Sequence, residues 1–322
     1  MRAVICRDYG GPELLEIGML PDPVPTNGEV LIRVHASSIN FPDALNIQGR
    51  YQVKRPLPFV AGSEVAGVIE AIGPDVSSIA VGDRVAAVTQ VGGFAEKAIA
   101  AASAAIKLPD DIPFEFAATF SVTYGTAYLG LVEQAKLRAG ETLLVLGAAG
   151  GVGIAAIEIA KAMGATVIAA ASSPEKRAAA SAAGADHLIG YDDIKDQTRA
   201  LTGGLGANVV FDPVGDRFAE PALRAMGWQG RYLVIGFAAG DIPRIPLNLL
   251  LLKSGSAIGV FFGEWASRNP AAAASHAEAL FDLYRRGALT AQIGGRFPLE
   301  GVPDALVQIM ERRAVGKLLI EM

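Results

Sequence analysis

The sequence predicts an α/β protein in which a doubly wound parallel sheet follows a β-rich N-terminal part. Three observations carry this. A glycine-rich turn, Gly147-Ala148-Ala149-Gly150-Gly151-Val152-Gly153, stands between the apolar run 143–146 and an amphipathic stretch that begins at Ile154. From about residue 125 to 263, short apolar runs alternate with helical stretches, the rhythm of a parallel sheet with helices on its faces. Before residue 120, alternating runs sit among dense turn signals such as Pro21-Asp22-Pro23, Asn27-Gly28, Gly82-Asp83 and Gly92-Gly93.

In order along the chain, residues 30–34 alternate and 62–88 are strand-rich, whereas 109–113 carry no period and read as a surface loop. Strand one of the sheet is 143–146. The helix after it stops near Gly164, and strand two follows at 166–170. Ser173-Pro174-Glu175 opens the next helix with an N-cap serine and a first-turn proline. That helix stops at Gly184. Strands three and four are 187–189 and 208–211, a helix covers 217–226, and strands five and six are 231–235 and 257–261. A last helix is expected at 271–286. The apolar run Leu318-Leu319-Ile320 is too short to stand alone and is expected to fold back onto the first domain as a strand. The alanine clusters near 98–105, 178–183 and 271–274 read as helix-forming. Residues 1–125 with 264–322 form one expected domain and 126–263 the other.

With 322 residues the chain can bury the cores of two domains. A net charge of −5 argues against nucleic acid or an anionic membrane surface as partner. The N-terminal residues lack the apolar stretch of a secretion signal, no span is long and uninterrupted enough for a bilayer, and a cytoplasmic protein is expected. One cysteine, Cys6, excludes an intrachain disulfide, and Cys6 with His35, His187 and His276 forms no ligand cluster in sequence. No metal is expected.

The glycine turn lets the backbone bend sharply and lets a pyrophosphate approach closely. The phosphates then meet free N–H groups at a helix N-terminus. Strand, glycine turn and helix together therefore point to a dinucleotide and to redox chemistry. Sites for NAD commonly place an acidic residue about 20 residues beyond the glycines. Here Ala169-Ala170-Ala171-Ser172-Ser173 stands there, with Lys176 and Arg177 one turn further on. No carboxylate is present to repel a 2′-phosphate, so NADPH is expected. Against this, Glu175 stands close by, and a plain capped helix with solvated basic residues explains the same pattern.

Over its whole length the chain resembles the medium-chain dehydrogenase/reductase superfamily, and within it the zinc-free quinone oxidoreductase (zeta-crystallin-like) branch. The resemblance rests on Ser38-Ile39-Asn40-Phe41-Pro42-Asp43, Gln48-Gly49-Arg50-Tyr51, Gly62-Ser63-Glu64-Val65-Ala66-Gly67, Gly82-Asp83-Arg84-Val85, the segment from Thr123 to Tyr128, the glycine motif, Gly236-Phe237 and Gly316-Lys317. It implies a GroES-like catalytic domain beside a Rossmann domain. It implies Tyr51, Asn40 and Asp43 as catalytic candidates, although Asp43 equally suits a helix cap. It also implies cofactor contacts from Thr126, Ala149, Gly150, Gly151, Val152, Ser172, Ser173, Lys176, Tyr191, Gly236, Phe237, Phe261, Phe262 and Lys317. Two departures stand out. Zinc alcohol dehydrogenases of the superfamily carry His between the Gly and Glu of Gly62-Ser63-Glu64, and they supply cysteines that this chain lacks. The branch often has Gln where this chain has Glu158, read here as a change on the helix surface.

A zinc-free cleft needs an acceptor already prone to take hydride, such as a quinone or an alkene conjugated to a carbonyl. Phe41, Tyr51, Tyr124, Phe237, Phe261 and Phe262 are the expected aromatic lining, with Phe261 more simply read as core packing. An enoyl-thioester reductase with Tyr51 as proton donor and a non-catalytic NADPH-binding protein are the alternatives. A homodimer is implied through the edge strand 257–261.

Overall fold

The structure, a computed structural model, describes residues 1–322. It divides into two units. The first comprises Met1–Val122, Ala266–Ala277 and Ile293–Met322; the second comprises Thr123–Trp265 and Glu278–Gln292. The α/β class, with a parallel Rossmann-type sheet and a GroES-like β domain, is the one the sequence predicts.

In the first unit, β1 (Arg2–Cys6) pairs antiparallel with β2 (Leu15–Met19) and with β4 (Phe59–Val60). The long strand β3 (Glu29–Ile39) is central to the larger sheet, and α1 (Phe41–Ile47) follows it at once. Along β3, Val30, Ile32 and Val34 are buried while Arg33 and His35 are exposed. The strand then buries Ser37 and Ser38, which carries hydroxyl groups into the interior just before α1. Strands β5 (Glu64–Ile72) and β7 (Lys97–Ala101) pair with β3, and β6 (Arg84–Val88) and β8 (Ala105–Lys107) extend the sheet from β5. The alanine cluster near 98 is thus a strand, not a helix. Its small side chains at Ala98 and Ala100 pack on the buried face of β7, and pairing with β3 outweighs alanine's helix propensity. A short helix, α2 (Phe114–Thr119), ends this part.

The second unit opens with a helical segment that includes α3 (Gly125–Tyr128). Strand β9 (Thr142–Val145) leads through the glycine turn into α4 (Gly151–Ala162). There follow β10 (Thr166–Ala170), α5 (Pro174–Ala182), β11 (His187–Ile189), α6 (Ile194–Leu201), β12 (Ala207–Asp212), α7 (Ala219–Ala225), β13 (Met226–Val234), α8 (Asn248–Leu251) and β14 (Ser256–Gly259). All six strands run parallel in the order β11-β10-β9-β12-β13-β14. The order reverses between β9 and β12, and ligands of such sheets bind at the carboxyl ends of the strands there. The helix expected at 217–226 stops one residue early, because Met226 turns extended and starts β13. β14 ends at Gly259, so Phe261 lies past the sheet and is 53% exposed rather than packed in the core.

The chain then forms α9 (Phe262–Arg268), α10 (Pro270–Arg285), β15 (Ile293–Pro298), α11 (Val302–Met310) and β16 (Lys317–Glu321). As the sequence predicts, the last strand folds back: β16 pairs antiparallel with β3 and parallel with β15. Residues 278–292, expected with the β-rich domain, belong instead to the second unit. Thr290 and Ala291 are bonded there to Glu158 and Tyr124. Glu158 is accordingly not on the helix surface. It is 3% exposed and accepts from the hydroxyls of Tyr124 and Thr290 and from the Thr290 N–H. Residues 153–160 of α4 are buried throughout, so no solvent-facing side remains for residue 158.

Candidate active site

The glycine turn has the shape its sequence implies. Gly147 takes φ +59, and a Cβ there would lie 3.0 Å from Val214 Cγ2. A Cβ on Gly153 would lie 2.4 Å from the Gly147 carbonyl oxygen, so only glycine lets α4 start this close to the strand end. Gly150 is the N-cap of α4, and Ile154 N–H is the amide that closes onto its carbonyl. The amides of Gly151, Val152 and Gly153 therefore point out of the helix start, as the first N–H groups of any helix do. Tyr191 underpins the turn: its hydroxyl accepts from Gly147 N–H at 2.8 Å, and its ring packs on Phe218. The loop after β12 lies against the turn through Pro213 and Val214. Buried Asp212 holds that loop, accepting from Val214 N–H at 2.7 Å, Gly215 N–H at 2.9 Å and the Tyr232 hydroxyl. Burial pushes the Asp212 carboxyl and the Tyr232 phenol up.

Beyond β10 no carboxylate follows Ala169–Ala171 until exposed Glu175. Ser172 is exposed. Ser173 is the N-cap of α5, its hydroxyl accepting from Lys176 N–H at 3.2 Å. Lys176 stands half-buried in the first turn, and Arg177 donates to the Ala171 carbonyl. Thr126 on α3, Gly236 and Phe237 after β13, and Phe262 are half-buried in the same unit. The Phe262 ring lies where a Cβ on Gly125 would be, and it stacks with Trp265. Tyr124, expected in the lining, is 1% exposed and engaged with Glu158 and Ala291, so it lines no cleft.

In the first unit, Asn40, Asp43, Ser63, Glu64, Ser38 and Lys317 form one buried polar cluster. Asp43 caps α1, its Oδ2 accepting from Asn40 N–H at 2.7 Å, while Oδ1 accepts from the Ser63 hydroxyl at 2.7 Å. The Asn40 amide turns away from the helix. Its Nδ2 donates to Glu64 Oε2 at 2.9 Å, and its Oδ1 accepts from Lys317 Nζ at 2.6 Å. Glu64 also accepts from the Ser38 hydroxyl and from Val122 N–H. Burial drives the Asp43 carboxyl up to about 6 against these hydrogen bonds, and it pulls the Lys317 ammonium down. Lys317, expected to touch the cofactor, is 4% exposed, and its Nζ is spent on Asn40 and the Ile39 carbonyl. Tyr51 stands outside this cluster, half-buried after α1, with its phenol pushed up first by burial.

Residues 26–110 match the alcohol dehydrogenase GroES-like domain family, and residues 151–278 match the zinc-binding dehydrogenase family. The quinone oxidoreductase-like protein 2 homolog of Nematostella vectensis is 37% identical, covering 99% of this chain and 88% of that protein. Human quinone oxidoreductase is 34% identical, covering 99% and 97%. The chain belongs to the quinone oxidoreductase branch of the medium-chain dehydrogenase/reductase superfamily. Escherichia coli quinone oxidoreductase, solved with NADPH, superposes with a TM-score of 0.93 at 28% identity, both chains covered in full. A mycobacterial protein solved with NADPH gives 0.94 at 34% identity, again with both chains covered in full.

The zinc named by one of these families does not fit the donors present. Nowhere do three or more His, Cys, Asp or Glu side chains converge as metal ligands. Where zinc dehydrogenases of the superfamily carry His, the Ser63 hydroxyl donates a hydrogen bond to Asp43, and a Lys317 ammonium already stands 3.6 Å from Glu64. A dication placed there meets that ammonium's repulsion, and no soft or imidazole ligand is at hand.

Residue-by-residue reading missed Ser63, Glu64, Asp212, Tyr232 and Glu158 as site-shaping groups. Asp212 offered a signal, a carboxylate directly after the expected strand 208–211. Glu64, within 62–67, offered a weaker one.

Proposed function

We propose that this protein is a zinc-independent oxidoreductase that passes hydride from NADPH to a quinone or to an alkene activated by a conjugated carbonyl. The observation that carries the reading is the donor set around Asn40, Asp43, Ser63, Glu64 and Lys317. It assembles no set of metal ligands, which supports an acceptor that takes hydride without Lewis-acid help. NADPH, when bound, supplies the hydride. The open amides of Gly151–Gly153 suit its pyrophosphate, and the carboxylate-free end of β10, with Ser172, Ser173 and Lys176, suits its 2′-phosphate. Asn40 and Asp43 fix the start of α1 and with it the segment that ends in Tyr51. An enoyl-thioester reductase is a second reading because Tyr51 is a half-buried phenol that carries a proton to give to carbon, although burial makes it a weaker acid than a free phenol.

The proposal includes a cytoplasmic setting, and a homodimer formed through the edge strand β14. No helix is long and apolar enough to cross a membrane. The test is NADPH oxidation with a panel of quinones, alkenals and enoyl-CoA esters, in chelator. Turnover of quinones or alkenals without metal is expected. Turnover of enoyl-CoA esters alone, or activity lost with about one zinc per chain, overturns the assignment.

A further inference from the structure

Lys317, 4% exposed, is the only buried lysine or arginine of the chain. Its Nζ donates to the Ile39 carbonyl at 3.1 Å and to Asn40 Oδ1 at 2.6 Å, and Glu64 Oε2 stands 3.6 Å away. Those contacts join four segments: the end of β3, the start of α1, the start of β5 and the start of β16. The same Glu64 oxygen accepts from Asn40 Nδ2 and the Ser38 hydroxyl. The Asn40 amide is thereby fixed in one sense, oxygen to the ammonium and nitrogen to the carboxylate, since the flipped amide would face NH₂ with NH₃⁺. We infer that Lys317 is a positioning residue: its ammonium takes the electrostatic place of a metal ion, neutralising buried Glu64 and locking Asn40 at the head of the Asn40–Tyr51 segment. A buried carboxylate needs a counter-charge, and this chain supplies it from its own last strand. The role is distinct from the cofactor contact that resemblance implies for Lys317. It rests on the proposed hydride transfer only for its kinetic consequence.

Lys317→Met alone strands Glu64 as an uncompensated charge and is expected to unfold more readily. The decisive variant is therefore Lys317→Met/Glu64→Gln, which removes both charges at nearly constant volume. Its thermal midpoint is expected to stay within a few degrees of the wild type. NADPH affinity by fluorescence titration should change by less than threefold, and kcat with a quinone should fall at least tenfold. Exchange of the Asn40 side-chain amide protons, read in protein carrying ¹⁵N-asparagine, should speed up at least tenfold. That last readout needs no turnover, so it decides the inference even if the wild-type protein reduces no quinone. Unchanged Asn40 exchange overturns the inference. So does a tenfold loss of NADPH affinity with kcat retained, which would make Lys317 a cofactor ligand. Recovery of wild-type kcat together with stability would leave the ammonium a structural part only.

Discussion

Tyr51 and Lys176 each bear on one question, Tyr51 on how the reduced acceptor gains its proton and Lys176 on the choice of cofactor. The Tyr51 phenol is held above its ordinary value by burial, so it carries its proton at any physiological pH. Hydride addition to an enoyl thioester or enone leaves a carbanion-like centre that must be protonated on carbon, and general acid catalysis of such a step is typically worth about 10²–10⁴-fold. A reduced quinone takes its protons on oxygen, from water. Tyr51→Phe should therefore lower quinone kcat by less than about tenfold and lower any enone or enoyl-thioester rate by about 10²-fold or more. A folded variant whose quinone rate collapses by about 10²-fold would assign Tyr51 a direct part in quinone reduction. Lys176, beside a strand end without a carboxylate, is the cation proposed to read a 2′-phosphate. A charge-assisted bond of this kind is worth roughly 1.5–3 kcal/mol. Lys176→Ala should raise KM for NADPH about 10–100-fold while that for NADH moves little; equal losses for both cofactors would remove Lys176 from that role.

At the scale of the element, α1 shows how a cap becomes a pH-dependent part. Asp43 is the third residue of the helix and closes its first turn onto Asn40 N–H. Being fully buried, it titrates near 6 in the fold against an ordinary 3.8. The folded value is the higher one, so the native state holds the proton more tightly. The stability this group adds is full below about pH 4 and is lost as pH rises through 6, a change on the order of 3 kcal/mol. Asp43→Asn cannot titrate. Its stability relative to wild type, from urea midpoints between pH 4 and 7.5, should rise by about that amount with pH; a flat difference would show that burial does not raise the Asp43 carboxyl above its unfolded value. The Asp43 cap could be read from the sequence because N-cap and capping residue stand three positions apart. Strands β10 and β11 were equally legible, being apolar runs bounded by glycine and a serine cap. The partners of Asp43 and Asn40 were not legible. Ser63, Glu64 and Lys317 reach them through the pairing of β3 with β5 and β16, a consequence of sheet order that no local pattern encodes. Strand β7 was misread for the same reason, since an alanine run becomes a strand only because β3 offers it a ladder. Glu158 was misread because a helix buried along its length leaves no exposed side for its polar residue, and its partner Thr290 comes from near the chain's far end.

At the scale of the whole molecule, the second unit carries an unfinished edge. β14 pairs with β13 on one side only, and Ser256, Ala257 and Gly259 are exposed. Close in sequence before it, Leu247, Leu251 and Leu252 are 75%, 79% and 69% exposed. An open strand edge offers unpaired N–H and C=O groups to another chain, and proteins that remain monomers blunt such edges with charge, proline or a covering segment. β14, Ser-Ala-Ile-Gly, carries no charge and no proline. Leucines this exposed and this close together mark an interaction surface more readily than a solvated one. We propose that a second copy presenting the same strand pairs with this edge, since a two-fold pairing is self-complementary. Light scattering in line with gel filtration should therefore give twice the 33.4 kDa of one chain. Leu251→Glu/Leu252→Glu should shift the protein towards 33.4 kDa while NADPH binding persists, because neither leucine belongs to the glycine turn or the end of β10. A wild-type mass of one chain at micromolar concentration would show that β14 is an edge left open, and the leucines would then need a different partner.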